Sequence, residues 1–158
     1  MSVLRFIDWC NSLGMSVAVR KSTWMFPIIE VVHLLGLGLL LGTLTIVSLR
    51  VFGFVLKGQT VYRVASELEP WTLGGLCVML VTGPLLFLAE PRKCYDSPPF
   101  RLKMICLFVA LIFHFTLFRR IIHSADNRPS WPLGKLGVGF SLMLWFAVGL
   151  AGRAIGFY

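Results

Sequence analysis

A chain of 158 residues is long enough for one domain and too short for two independent ones. Hydrophobic residues make up 57% of it, charged residues 14% and mean hydropathy is +0.82; soluble proteins carry roughly 25% charged residues, so an ordinary soluble fold is excluded. The net charge of +8 does not indicate nucleic acid, because the basic residues flank apolar runs and form no stripe. Anionic lipid headgroups suit that pattern.

In chain order, the first element is an amphipathic stretch over residues 2–19. Val3, Phe6, Ile7, Cys10, Leu13 and Val17 share one helical face, and Arg5, Asp8, Ser12 and Ser16 share the other. Asp8 and Asn11 interrupt what would be the apolar core of a signal peptide. The stretch reads either as a helix lying in the membrane interface or as a solvated leader clamped onto the bundle.

Four apolar runs follow, at about 24–51, 70–89, 99–121 and 131–157. A hydrocarbon core about 30 Å thick needs roughly 20 helical residues, and each run supplies them. The expected fold is therefore all-α: an integral membrane four-helix bundle with an N-terminal amphipathic interfacial helix. Trp24, Trp71, Phe100 and Trp131 stand at the starts of the runs, where an aromatic belt places them. Gly38 and Gly42 form a G-x-x-x-G pair, expected to pack inside the bundle. Thr82, Gly83 and Pro84 are expected to kink the second helix.

Ionisable residues inside a membrane span are costly and mark function by default. Glu30 and His33 lie on neighbouring positions of one helical face, and Lys103 and His114, eleven residues apart, point within about 20° of each other. Measured from Trp24 and Phe100, the two histidines fall about 14 and about 21 Å into their spans, which puts them near one depth. That arrangement suits His33 and His114 as the two axial ligands of one haem b iron. Lys103 and Arg153 then face the propionates, and Glu30 is the remaining acid of the site. Against this stand two simpler roles: hydrogen bonds from each histidine to a neighbouring helix, and an ion pair between Glu30 and Arg153. His123 reads as a solvated loop residue.

Four crossings put both termini on one side. Six basic residues outside the spans lie there and seven lie opposite, so charge leaves the orientation undecided. Cys10 and Cys94 also fall on the terminal side; were they to pair, that side would be the oxidising, periplasmic one, and two unrelated thiols are the alternative.

The stretches E-V-V-H-L-L-G-L-G-L-L-L-G with S-L-R-V-F-G (Glu30 to Gly53), P-W-T-L-G-G with T-G-P-L-L-F (Pro70 to Phe87), S-P-P-F-R-L-K-M (Ser97 to Met104) and S-L-M-L-W-F-A-V-G-L-A-G-R-A-I-G-F (Ser141 to Phe157) resemble an uncharacterised bacterial family of four-helix membrane proteins. More distantly the chain is similar to the HemJ-type protoporphyrinogen oxidases and to the membrane domain of CopD-type copper-resistance proteins. His33, Lys103 and His114 fall on the HemJ pattern of a first-span histidine and a later lysine followed by a second histidine. That resemblance implies haem b, with His33 carried over most securely. The HemJ tryptophan-rich first-span motif is missing, and Arg101 stands where a histidine precedes the lysine. Met25, Cys77, Met79, Met104 and Cys106 show no repeated copper-ligand spacing.

The leading expectation is a haem b cytochrome of the bacterial inner membrane that relays electrons between a quinol and a partner redox protein. The alternatives are a membrane-embedded oxidoreductase acting on a tetrapyrrole or quinol, and a non-catalytic anchor or assembly subunit of a larger membrane complex.

Overall fold

The structure is a computed structural model that describes residues 22, 24–89, 91, 97–125 and 132–154. The amphipathic stretch 2–19, Cys10 and Cys94 lie outside the described residues. Every regular element described is helical: α1 (Met25–Phe52), α2 (Val61–Ala89), α3 (Pro98–Phe113), a π-helical turn (His114–Phe118), α4 (Arg119–Ala125) and α5 (Pro132–Ala154). Four stretches, Met25–Phe52, Val61–Ala89, Pro98–Ile122 and Pro132–Ala154, are long and apolar enough to cross a membrane. This is the make-up of a multi-pass membrane protein.

Local chemistry sets the element ends. α1 stops at Gly53, whose φ of +82° is the left-handed conformation that glycine adopts without strain; the amides of Gly53 and Phe54 return to the carbonyls of Arg50 and Leu49. The Arg50 side chain then donates to the Gln59 carbonyl at 2.7 Å and closes the connection to α2. α2 starts where the Thr60 hydroxyl accepts the Arg63 amide at 3.2 Å. It therefore begins nine residues before the expected boundary at Pro70. Pro70 costs one ladder bond, but the apolar residues on both sides of it pack into the same bundle and the helix runs through. Pro98 opens α3 at a first-turn position, where its missing N–H has no helical partner to lose.

Each helix turns one row inward and leaves another outside. Leu40, Leu76, Ala110, Val138 and Trp145 are buried, whereas Leu35, Val81, Phe108 and Leu150 are mostly exposed. That outward apolar surface is what a bilayer covers. Neighbouring crossings run antiparallel: α1 packs most extensively on α2, α3 on α5, and α1 also meets α5, while α2 and α3 hardly touch.

The α1–α2 seam closes at Gly36 and Gly75. A Cβ on Gly75 would stand 2.8 Å from the Gly36 carbonyl oxygen, so backbone lies against backbone there. A hydroxyl contact lies farther along the seam, where Thr72 donates to Thr43 at 2.8 Å. The Gly38 and Gly42 pair, expected inside the bundle, has nothing within 4 Å of either added Cβ. Gly36 fills that role because it is on the face of α1 that meets α2.

Candidate functional site

His33 is buried, only 8% exposed, and its Nδ1 lies 2.7 Å from Thr82 Oγ1 across the α1–α2 seam. Thr82 has one hydroxyl proton and donates it to the Val78 carbonyl at 2.6 Å. With that proton on Val78 the Thr82 oxygen accepts from His33, an arrangement that puts the ring proton on Nδ1. The neutral ring is left with its lone pair on Nε2. The ring lies against α2 at Gly83, where a Cβ would meet His33 Cε1 at 3.8 Å, an ordinary contact. The T-G-P motif, expected to bend α2, thus forms the wall that holds His33: Thr82 orients the ring, and Gly83 and Pro84 line the adjoining space.

That space is a cavity of about 360 Å³. Its lining is apolar apart from His33 and Lys103, and includes Met79, Phe87, Phe100, Met104 and Trp145. Phe87 and Phe100 are stacked, with centroids 5.5 Å apart, and form a flat aromatic wall. Leu80 and Met104 line the cavity and are also about half exposed, so it opens sideways through the gap between α2 and α3. The Lys103 chain runs along α5, where a Cβ on Gly152 would come within 3.2 Å of Nζ. Sequence spacing alone did not place Thr82, Phe87 or Trp145 at this site.

His114 is elsewhere. It lines a second cavity of about 150 Å³ together with Leu44, Tyr62, Glu69, Thr72 and Arg119. The depth comparison made from sequence took Trp24 and Phe100 as level landmarks. In the structure Phe100 stacks on Phe87, five residues past the Thr82 that meets His33, so it lies about 7 Å on the terminal side of His33. His114, fourteen residues and about 21 Å beyond Phe100, is then about 14 Å past the His33 level along the bundle. Trp145, edge-on to His114 at 6.3 Å, also lines the His33 cavity and stands between the two. His33 and His114 thus line two different cavities. Trp71 is exposed and stands ten residues inside α2, just past Glu67 and Glu69, where the helix becomes apolar.

Glu30 and Arg153 pair with each other at 3.9 Å, both partly exposed, and neither is among the residues lining either cavity. At the far end Arg119 pairs with Glu69 at 2.6 Å. No cluster of three His, Cys, Asp or Glu side chains suited to a metal ion occurs among the described residues.

This chain belongs to DUF6644, a family of unknown function whose model matches residues 7–158. No curated protein and no solved structure matches it.

Proposed function

We propose that this protein is a membrane-embedded haem protein in which the cavity beside His33 takes one haem b, with His33 as its histidine ligand and Lys103 as the cation for a propionate. The observation that carries this reading is the Thr82 hydroxyl, which accepts from Nδ1 and so turns Nε2 into a lone-pair donor at the edge of an apolar cavity. Metal-ligating histidines are held in this way, by a hydrogen bond on the other ring nitrogen. The likeness to HemJ-type oxidases points to His33 and Lys103, and to His114 as well, and rests on the motif pattern alone.

The donor set fits the group better than the enclosed volume does. A cavity of about 150 Å³ holds a single benzene ring, so about 360 Å³ encloses only part of a macrocycle. The lateral opening between Leu80 and Met104 is the outlet for the rest, where an apolar ring edge meets lipid. Bound there, haem supplies one-electron iron chemistry in a low-dielectric setting. The protein orients the imidazole through Thr82, offers a stacked Phe87–Phe100 wall to a flat ring and holds a cation at Lys103.

Because His114 is outside this ligand set, a haem with one histidine ligand replaces the two-histidine arrangement. A laterally open cavity favours the oxidoreductase acting on a tetrapyrrole or quinol over a sealed electron relay. We place the protein in the bacterial inner membrane with periplasmic termini, and an anchoring role is the reading to which a haem-free protein would return. Protein purified after expression with ample haem is expected to show a Soret band that shifts on reduction. No Soret band, either then or after reconstitution with haem, overturns the proposal.

A further inference from the structure

The second cavity belongs to none of this. It lies at the end of the bundle opposite His33, between α1, α2 and the third crossing, and it has its own buried polar group. His114 is 6% exposed and its Nδ1 has no hydrogen-bond partner in the structure. The π-helical turn begins at this residue: the Arg119 amide reaches back five residues to the His114 carbonyl. Such turns are frequent at functional sites. Here its geometric effect is specific. At 100° per residue Ile122 would stand about 80° around the helix from His114, and the widened turn removes most of that offset. His114, Phe118 and Ile122 therefore line the same cavity.

The rest of the wall is divided by polarity. Leu44, Val47, Phe118 and Ile122 are apolar, while Tyr62, Ser66 and the Glu69–Arg119 pair bring polar groups to the outer side. Tyr62 is half exposed, and the Glu69 and Arg119 side chains are 40% and 48% exposed, so the cavity is reached from the bundle surface. Phe118 stacks on the imidazole at 5.1 Å with planes 19° apart, which holds the ring flat against an apolar neighbour. At about 150 Å³ the space matches one six-membered ring.

We infer that this cavity is a binding site for the head of a lipid-borne, single-ring quinone or quinol, with the His114 imidazole as the polar contact. A neutral imidazole nitrogen serves both redox states. As a lone pair it accepts from a quinol hydroxyl, and as N–H it donates to a quinone carbonyl. Ring volume, a wall divided between apolar and polar groups, a buried imidazole and access from the bundle surface all suit a ligand with a flat polar head and a lipid-soluble tail. The inference is independent of haem at His33, because it concerns different residues at the other end of the bundle.

The test is a titration of full-length protein in nanodiscs, labelled with 15N-histidine, with a decyl-tailed benzoquinone. The ring resonances are assigned with His33→Gln, His114→Gln and His123→Gln variants. A saturable shift of the His114 resonance is expected, with affinity reduced at least tenfold in His114→Ala. If His114→Ala does not fold, Val47→Phe fills the slot from α1 and is expected to weaken binding to the same extent. No shift at any histidine overturns the inference, as does a shift at His33 alone. Binding that survives both the loss of the imidazole and the filled slot overturns it too, as does a His114 nitrogen whose shift responds to deuterated solvent and not to quinone. Haem at His33 is read separately, in the Soret band, so one reading can fail without the other.

Discussion

The two ends of the bundle use the same residue type in opposite ways. At one end His33 is tied through Nδ1 to Thr82, and its remaining lone pair lies at a cavity that is apolar except for Lys103. At the other end His114 is tied to nothing through Nδ1, and its smaller cavity carries hydroxyls and an ion pair. An intramembrane histidine is thus defined by what occupies its other ring nitrogen: a fixed tautomer prepares a ligand for a metal, and an unfixed one prepares a group that can donate or accept.

Substitutions should separate these ends. Gly75→Val lies between them, where a Cβ already meets backbone at 2.8 Å. Overpacking typically costs about 1–3 kcal/mol, and backbone that cannot swing aside puts this site at the upper limit or above. Thermal unfolding in detergent should show the loss, and an unchanged melting temperature would mean that the seam is looser than described. Thr82→Val acts at the His33 end alone. Removing a hydroxyl that orients a metal-binding histidine costs about 10–100-fold in metal affinity, so haem titration should weaken by that factor while Thr82→Ser stays near wild type; equal loss in both variants would show that the hydroxyl is not what matters. Lys103→Met should weaken haem by about tenfold, on the order of one charge-assisted hydrogen bond, and leave the benzoquinone titration as it was. The smallest effect belongs to Glu30→Gln, which breaks a partly exposed pair at 3.9 Å. Such pairs contribute about 0–1 kcal/mol, so a shift of several degrees in melting temperature would contradict its placement away from both cavities.

Much of this fold is legible in the sequence, because apolar length alone defines four crossings and a membrane leaves few other ways to satisfy the backbone. The pairing of His33 with Lys103 in one site is also legible, from a resemblance and from the sparseness of charge. The relation between His33 and His114 is not. Depth counted from Trp24 and Phe100 treats the two as level, whereas Phe100 stacks on Phe87 beside the His33 cavity and lies about four residues deeper than Trp24. Aromatic residues serve as boundary markers only when nothing inside the protein competes for them. The glycine seam was missed for a related reason: Gly36 and Gly75 make it, and no motif joins residues on two helices. The Thr82–Gly83–Pro84 run predicts a bend in the backbone, whereas the Thr82 side chain matters through His33.

The central claim is that only the His33 end holds haem. Haem titration of wild-type, His33→Ala and His114→Ala proteins, followed at the Soret band, tests it most directly. The band should vanish in His33→Ala and persist with unchanged position and affinity in His114→Ala. Equal loss in both variants would mean that the two imidazoles share an iron after all, and would contradict the separation of the two ends.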